Sequence, residues 1–281
     1  MSKVPFLTLS NGNKIPQLGL GTAGLLPNEV CEEKCLEALK VGYTHIDTAH
    51  FYDNEKGVSD AVLKSGIKRE NIFITTKIWP TEFDNAESAI EKMFKRFNLS
   101  YIDLVLLHWP YGDYVSAWKN LEKFYNEGKI KNIGLSNFYG KQLEDILKIC
   151  KVRPVVNQVE CNLSKNKIEF RKTLEKEKIL LMAWSPVRDV PEEIKKNEDI
   201  IKMEKKYNKS LIQIILRWHI QSGNIVIPKS GKIEHIKSNF EIFDFQLSEE
   251  EMKILNNLPQ TTKGDPDAET EKFVLSHTPK S

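Results

Sequence analysis

Hydrophobic and polar positions along this chain follow two rhythms that take turns. Short runs packed with apolar residues, such as Ile72-Phe-Ile-Thr-Thr-Lys77 and Ile102-Asp-Leu-Val-Leu-Leu-His108, alternate with longer stretches in which apolar residues recur every three or four positions. The first pattern predicts strands and the second amphipathic helices. An opening pair of extended runs, Phe6 to Leu9 and Lys14 to Leu20, flanks the turn residues Ser10-Asn-Gly-Asn and predicts a β-hairpin. Helices are then expected over Glu29 to Lys40, Glu55 to Lys64, Ala86 to Phe97, Tyr114 to Asn126, Gly140 to Ile149, Lys167 to Glu177, Ile194 to Tyr207 and Leu211 to Gln221. Gly42 and Gly66 close the first two. Strands are expected over Tyr43 to Asp47, Ile72 to Lys77, Ile102 to His108, Ile130 to Ser136, Val155 to Val159, Ile179 to Trp184 and Ile225 to Ile227. With Leu18-Gly-Leu20 counted first, the series makes eight strands.

The strand cores are continuously apolar, as expected where helices cover both faces of a parallel sheet. Eight such units in an α/β chain predict a closed (β/α)8 TIM barrel with an N-terminal hairpin, and Asn239 onward adds a final helix and tail. No Ser/Gly-rich linker or shift in composition divides the sequence, so residues 1–281 read as one domain.

Charge narrows the partners. Forty-one Lys and Arg against 39 Asp and Glu leave +2 over 281 residues, a balance that argues against nucleic acid or an anionic membrane surface. The four cysteines (Cys31, Cys35, Cys150, Cys161) form no CxxC pair, so neither a disulfide framework nor a zinc site is expected. No apolar run approaches the roughly 18 residues of a membrane span, and Met1 to Gly12 lacks the blocks of a signal peptide, which predicts a cytoplasmic protein.

Gly19-Leu-Gly21-Thr-Ala-Gly24, with Asp47 at the end of the next strand, matches a dinucleotide-binding fingerprint. That motif needs a helix starting within its glycines to meet the pyrophosphate, whereas here Leu25-Leu-Pro27-Asn28 follows and the helix begins at Pro27 or Asn28. The segment therefore reads as a turn at the top of the first barrel strand.

Four polar residues end strands two to four or lie just beyond them: Asp47 and Tyr52, Lys77, and His108. Burying an unpaired Lys or Asp is costly, so Lys77 and Asp47 are expected to pair. A free phenol with a pKa of about 10 is a poor acid near neutrality, and a neighbouring ammonium lowers that value. Tyr52 is thus the expected proton donor, with His108 orienting a carbonyl beside it.

These segments resemble the aldo-keto reductases. The carriers are Gly19-Leu-Gly-Thr22, Asp47-Thr-Ala-His-Phe-Tyr52-Asp-Asn-Glu55, Thr76-Lys77-Ile-Trp79 and Leu107-His108-Trp-Pro110. Downstream, Ile133-Gly-Leu-Ser-Asn-Phe138, Asn157-Gln158-Val-Glu160, Ala183-Trp-Ser-Pro186, Leu216-Arg-Trp-His-Ile-Gln221 and Ile227-Pro-Lys-Ser230 follow in family order. Trp184 and the short loop from Tyr111 to Tyr114 are similar to the bacterial diketogluconate reductase and prostaglandin F synthase-like branch. The resemblance implies a monomeric, metal-free, NADPH-dependent reductase of aldehydes or ketones, with Tyr52, Asp47, Lys77 and His108 as its catalytic residues. It also implies that Ser136, Asn137 and Gln158 bind the carboxamide of the cofactor and Trp184 stacks on its ring, with Gly21, Thr22, Asp47, Ser185, Val187 and Asn239 as further cofactor contacts.

The 2′-phosphate would meet Lys229 and Ser230. Where relatives usually carry arginine, this chain has His235, which lacks a permanently charged fork, so NADH stands as the alternative cofactor. Ser238 occupies the place of an acidic residue, and Arg188 reads as a solvent-exposed loop arginine, with a pyrophosphate contact as the alternative. Trp79, Phe51, Trp109 and His108 would line the substrate pocket, and Ala23, in place of a large aromatic, widens one side. Two other readings compete: a cofactor-binding regulatory barrel without turnover, and a hydrolase using Asp47 and Glu160 as paired carboxylates.

Overall fold

Successive side chains of a strand point to opposite sides of its sheet, and that alternation divides the core of this protein in two. On one parity Ile74, Val105, Leu107, Leu181, Ala183 and Val226 pack against the surrounding helices. On the other Phe73, Leu104, Leu106, Val156, Met182 and Ile225 form a separate interior cluster. The computed structural model describes residues 4–188, 190–261 and 266–280. The beginning of the Met1 to Gly12 stretch and the final Ser281 lie outside the described residues.

The N-terminal hairpin pairs β1 (Phe6–Thr8) with β2 (Lys14–Pro16). Eight parallel strands follow: β3 (Leu20–Gly21), β4 (His45–Asp47), β5 (Phe73–Ile78), β6 (Leu104–Leu107), β7 (Ile133–Ser136), β8 (Val156–Glu160), β9 (Leu180–Trp184) and β10 (Ile225–Val226). Each pairs with its neighbour in chain order. The first and last strands meet through the parallel bridges Leu18 to Val226 and Gly21 to Lys229, which close the barrel.

Closure explains two glycines. A Cβ on Gly21 would stand 2.7 Å from the Ile227 carbonyl oxygen, and one on Gly19 would stand 2.7 Å from Nδ1 of His45. Their spacing answers to the barrel seam and to a buried imidazole, and α1 (Asn28–Val41) begins beyond the glycines. The fingerprint reading is thereby set aside.

The other helices are α2 (Glu55–Lys64), α3 (Ala86–Phe97), α4 (Tyr114–Asn126), α5 (Gly140–Ile149), α6 (Ile168–Lys176), α7 (Glu192–Lys195), α8 (Glu198–Tyr207), α9 (Leu211–Gln221), α10 (Ile233–Phe240), α11 (Glu249–Asn256) and α12 (Ala268–Ser276). Gly42, at φ 120°, ends α1 and returns its N–H to Ala38 and Leu39 carbonyls. Ser210 with Gln213 and Ser248 with Glu251 form capping boxes that start α9 and α11.

Four expectations change. The helix expected over Ile194 to Tyr207 is two, because the Asn197 side chain accepts from Asp199 and Ile200 N–H groups and starts α8 anew. An eighth barrel helix, α10, was hidden by its brevity, and two helices rather than one follow Asn239. The first barrel strand is Leu20–Gly21, with Leu18 joined only by a single bridge.

The hairpin seals the N-terminal end of the barrel. Asn11 and Asn13 Nδ2 donate to Asn132 Oδ1 at 2.9 and 3.0 Å, just before β7, and Ile15 plugs the interior cluster. The opposite mouth is left to polar side chains.

Candidate active site

The inward parity that carries Phe73 and Leu104 into the interior also carries Lys77 and His108 to its upper edge. By the same step of two, His45 leads to Asp47, Val156 to Gln158 and Met182 to Trp184. Lys77, Asp47 and Trp184 are the last inward positions of their strands, His108 lies one residue beyond β6 and Gln158 two before the end of β8, where the apolar filling of the barrel stops.

Lys77 and Asp47 are 1 % and 2 % exposed. Lys77 Nζ donates to Asp47 Oδ1 at 2.6 Å and to the Thr48 carbonyl at 2.8 Å, and its longest bond reaches Tyr52 Oη at 3.5 Å. The second carboxylate oxygen of Asp47 accepts from Gln158 Nε2 at 2.7 Å. Tyr52 rides on a 3-10 turn, His50–Tyr52, immediately beyond β4, and the left-handed Asp53 at φ 56° ends that turn. The His108 ring meets Tyr52 edge-on at 5.7 Å between centroids.

Burial pushes the Lys77 ammonium down, but the charge and hydrogen bonds of Asp47, with those of Tyr52, outweigh it and hold the pKa above its ordinary value. Burial, followed by the charge of Lys77, drives His108 well below the ordinary imidazole range, so the ring is neutral. For Tyr52 the outcome corrects the sequence reading. Burial raises the phenol above its ordinary value, and the opposing pull of Lys77 only moderates that rise. The phenol is consequently protonated at neutral pH, and the Lys77 ammonium lies where it would favour the phenolate form.

A cleft of about 590 Å³ opens above this cluster. Asp47, Tyr52, His108 and Trp109 line one part of it, and Gly21, Thr22 and Ala23 form its rim on the β3 side. Ser136, Asn137, Gln158 and Trp184 face it from the ends of β7 to β9. Ser185, Val187, Arg188 and Lys229 complete the lining, with Lys229 beside Gly21 at the barrel seam. Pro186 and Ile227 also line it without having been singled out beforehand; their signal was adjacency to the ends of β9 and β10.

Asn137 is held in the left-handed region at φ 62°. Its Nδ2 donates to the His108 carbonyl and to Ser136 Oγ, both at 3.1 Å, and its Oδ1 accepts from Trp184 Nε1 at 2.9 Å. Ser185 also has positive φ, 49°, turning the chain beside the indole.

Other expected residues lie elsewhere. Trp79 is buried, and its Nε1 donates to the Val274 and His277 carbonyls at 3.1 and 2.6 Å. Phe51 stacks on it at 3.8 Å, with Phe273 of α12 edge-on at 6.4 Å. The C-terminal helix thus covers both rings and sets them outside the lining of the cleft. Ser230 turns its hydroxyl to the Lys232 carbonyl at 3.3 Å, His235 is exposed on α10, and Asn239 is buried there. None of these three joins Lys229 in the lining. Glu160, the second acid of the hydrolase reading, accepts from Lys165 Nζ at 2.6 Å and also stands outside the cleft.

The donor set suits a nicotinamide dinucleotide. Ser136, Asn137 and Gln158 present hydroxyl and carboxamide groups to the cleft, Trp184 presents a partly exposed indole, and Lys229 and Arg188 supply exposed cations to its lining. His108 Nδ1 is buried without a hydrogen-bond partner among the described residues, so the fold leaves part of this ring's bonding capacity unused.

Comparison with known proteins agrees with this geometry. A family model described as the aldo/keto reductase family matches residues 17–259. The chain is 40% identical over 267 residues to the 9,11-endoperoxide prostaglandin H2 reductase of Trypanosoma cruzi, covering 93% of this chain and 94% of that one. It is 41% identical over 253 residues to the glyoxal reductase of Bacillus subtilis, covering 89% and 91%. Among solved structures it resembles a Bombyx mori aldo-keto reductase in complex with NADP, at a TM-score of 0.84 and 30% identity, covering 91% of this chain and 93% of that one.

Proposed function

Because the chain belongs to the aldo/keto reductase family, we propose that it reduces aldehydes or ketones to alcohols with NADPH, using Tyr52 as the proton donor. NADPH, when bound, supplies the hydride that reduces the carbonyl carbon. The observation carrying this reading is the buried Lys77 ammonium held by Asp47 at 2.6 Å and directed from 3.5 Å at Tyr52 Oη, a residue that lines the cleft.

The roles of the residues follow from their charge states. Tyr52 begins protonated and passes its proton to the carbonyl oxygen of the substrate. Lys77 stabilises the phenolate that remains, and Asp47 keeps Lys77 charged. His108, being neutral, accepts or donates a hydrogen bond without adding a second cation, and so orients the carbonyl beside Tyr52. These groups are in place before charge develops, which is where fixed donors contribute most.

Ser136, Asn137 and Gln158 would hold the carboxamide, and the face of Trp184 the nicotinamide ring. Gly21, Thr22, Ser185, Val187 and Arg188 would border the rest of the cofactor. Lys229 is the cation suited to a 2′-phosphate, and Ser230, His235 and Asn239 stand behind it in the same segment. Since His235 is exposed and Ser230 is turned away, preference for NADPH over NADH rests chiefly on Lys229. The substrate is a small carbonyl compound bordered by Trp109 and His108, with Phe51 and Trp79 supporting that wall from behind. Near-balanced charge and four free thiols support a cytoplasmic setting, and the chain is read as a monomer. No helix among the described residues is long and apolar enough to cross a membrane.

The test is a panel of aldehydes and ketones assayed with NADPH and NADH. NADPH oxidation that disappears in Tyr52→Phe, while cofactor still quenches tryptophan fluorescence, is the expected result. Undiminished turnover in that variant rejects the assignment of the proton donor.

A further inference from the structure

One fully buried side chain touches none of the reacting groups, yet it is bonded to both loops that frame them. Asn54 is 0 % exposed and stands at the N-cap position of α2. An asparagine there ordinarily accepts from an N–H of the first helical turn. This one makes no such bond. Its Nδ2 donates instead to the Thr22 carbonyl at 2.9 Å and the Leu25 carbonyl at 3.1 Å. Its Oδ1 accepts from Thr48 Oγ1 at 2.6 Å, and Thr22 Oγ1 lies 3.4 Å away with its one proton nearer the Asp47 carbonyl.

Both donors of the carboxamide are therefore engaged on one side, and its oxygen takes its short bond from the other. One side is the rim of the cleft, where Thr22 also sends its N–H and hydroxyl to the Asp47 carbonyl, each at 3.0 Å. The other side is Thr48, whose carbonyl is one of the groups holding Lys77 Nζ and whose N–H is tied to the Thr75 carbonyl at 2.8 Å. We propose that Asn54 is a positioning residue that holds the Lys77 ammonium beside Tyr52, acting through Thr48, and that the same side chain sets the Thr22 to Leu25 rim against which the cofactor lies. The inference rests on the proton-donor role proposed for Tyr52.

Residue chemistry leaves few substitutes. Aspartate lacks donors for the Thr22 and Leu25 carbonyls and would bury a charge. Leucine of similar size would strand the polar groups on both sides. Thr48 separates the two arms, because Thr48→Val removes its bond to Asn54 and leaves the Nδ2 bonds to the rim intact.

The experiment compares Thr48→Val, Asn54→Ala and a control, Gln17→Ala. Gln17 Nε2 donates to the Ile220 and Asn224 carbonyls at 2.8 and 3.0 Å at the closed end of the barrel, so its loss removes a buried amide far from the mouth. Three quantities are read: the phenol titration of Tyr52, as the ultraviolet difference against Tyr52→Phe in each background without cofactor; kcat and KM for a small aldehyde; and NADPH affinity by fluorescence quenching. Thr48→Val is expected to move the phenol titration upward and lower kcat about tenfold, the scale of one hydrogen bond, with NADPH affinity unchanged. Asn54→Ala is expected to reproduce both effects and also weaken NADPH about tenfold or more. Gln17→Ala should lose thermal stability without either change. If Thr48→Val leaves the phenol titration and kcat at wild-type values, the proposal is overturned even should Asn54→Ala fail to fold. Failure of the functional reading looks different: wild-type protein would then reduce no carbonyl, while the titration in the three variants would still report whether Asn54 fixes Lys77.

Discussion

Lys77 Nζ lies 2.6 Å from Asp47 Oδ1 across thirty residues of sequence, and both groups are almost wholly out of water. Removing one partner of such a pair leaves the other charge buried, which costs about 3–5 kcal/mol. Lys77→Met should therefore lower stability by about that amount in urea unfolding and reduce kcat roughly 10²–10⁴-fold, the range for loss of acid–base assistance. The double variant Lys77→Met with Asp47→Asn should regain much of the stability and none of the activity. Recovery of turnover in the double variant would contradict the role given to the ammonium.

Burial sets the sign of the pH dependence of reduction. The Tyr52 phenol sits above its ordinary pKa of 10.0, and only its protonated form donates. The reduction rate should stay level through neutrality and fall only as pH rises through that elevated value. A fall in kcat centred between pH 6 and 8, with substrate and cofactor saturating, would show that another group gives up the proton.

Two buried histidines away from the cleft make stability sensitive to acid. Burial pushes His45 and His219 from 6.5 down to about 3. The unfolded chain therefore takes up protons first, and stability is lost as pH falls from about 6.5 towards 3, by a few kcal/mol per group at most. His219→Gln should flatten the decline in urea midpoint over that interval. An unchanged slope would mean that carboxylates alone govern acid unfolding.

Trp184 joins two proposed cofactor contacts, because its indole N–H is bonded to Asn137 while its ring faces the cleft. Trp184→Phe keeps an aromatic face but frees Asn137 Oδ1. NADPH affinity should fall about three- to tenfold, the worth of one hydrogen bond, and quenching of protein fluorescence by the cofactor should shrink. Equal quenching in the variant would place the bound ring elsewhere.

With Lys229 an exposed cation in the lining, beside Gly21, Lys229→Ala should raise KM for NADPH roughly tenfold or more, the scale of a charge-assisted hydrogen bond, and barely alter KM for NADH. His235→Arg should shift preference further towards NADPH. Parallel changes for both cofactors would assign Lys229 to a part of the cleft common to the two.

Much of the architecture was legible locally. Strand and helix periods, the glycine at the end of α1 and polar residues closing apolar strands all arise within a few positions of one another. The step of two from Phe73 to Lys77 or from Val156 to Gln158 even marks which side chains reach the mouth. Pro186 and Ile227 escaped because apolar residues at strand ends look no different from core.

Three matters depended on contacts between distant segments. Trp79 and Phe51 carry every local mark of a pocket wall, yet α12, almost two hundred residues later, lies over both. Ser230, His235 and Asn239 follow Lys229 closely in sequence, but Ser230 turns its hydroxyl to the Lys232 carbonyl and α10 carries His235 and Asn239 off the cleft. The Tyr52 phenol illustrates the third: a nearby lysine can be foreseen, whereas the water lost around the hydroxyl depends on everything that closes over it.

The sequence by itself determined the order of the elements, the inward parity of each strand and the identity of the polar groups at its end, since these follow from short-range stereochemistry and side-chain alternation. Closure of the barrel and docking of the C-terminal helix decided which groups meet, which face solvent and which way burial moves a proton. Those outcomes depend on distance and desolvation in three dimensions, and neither is a property of any local stretch of chain.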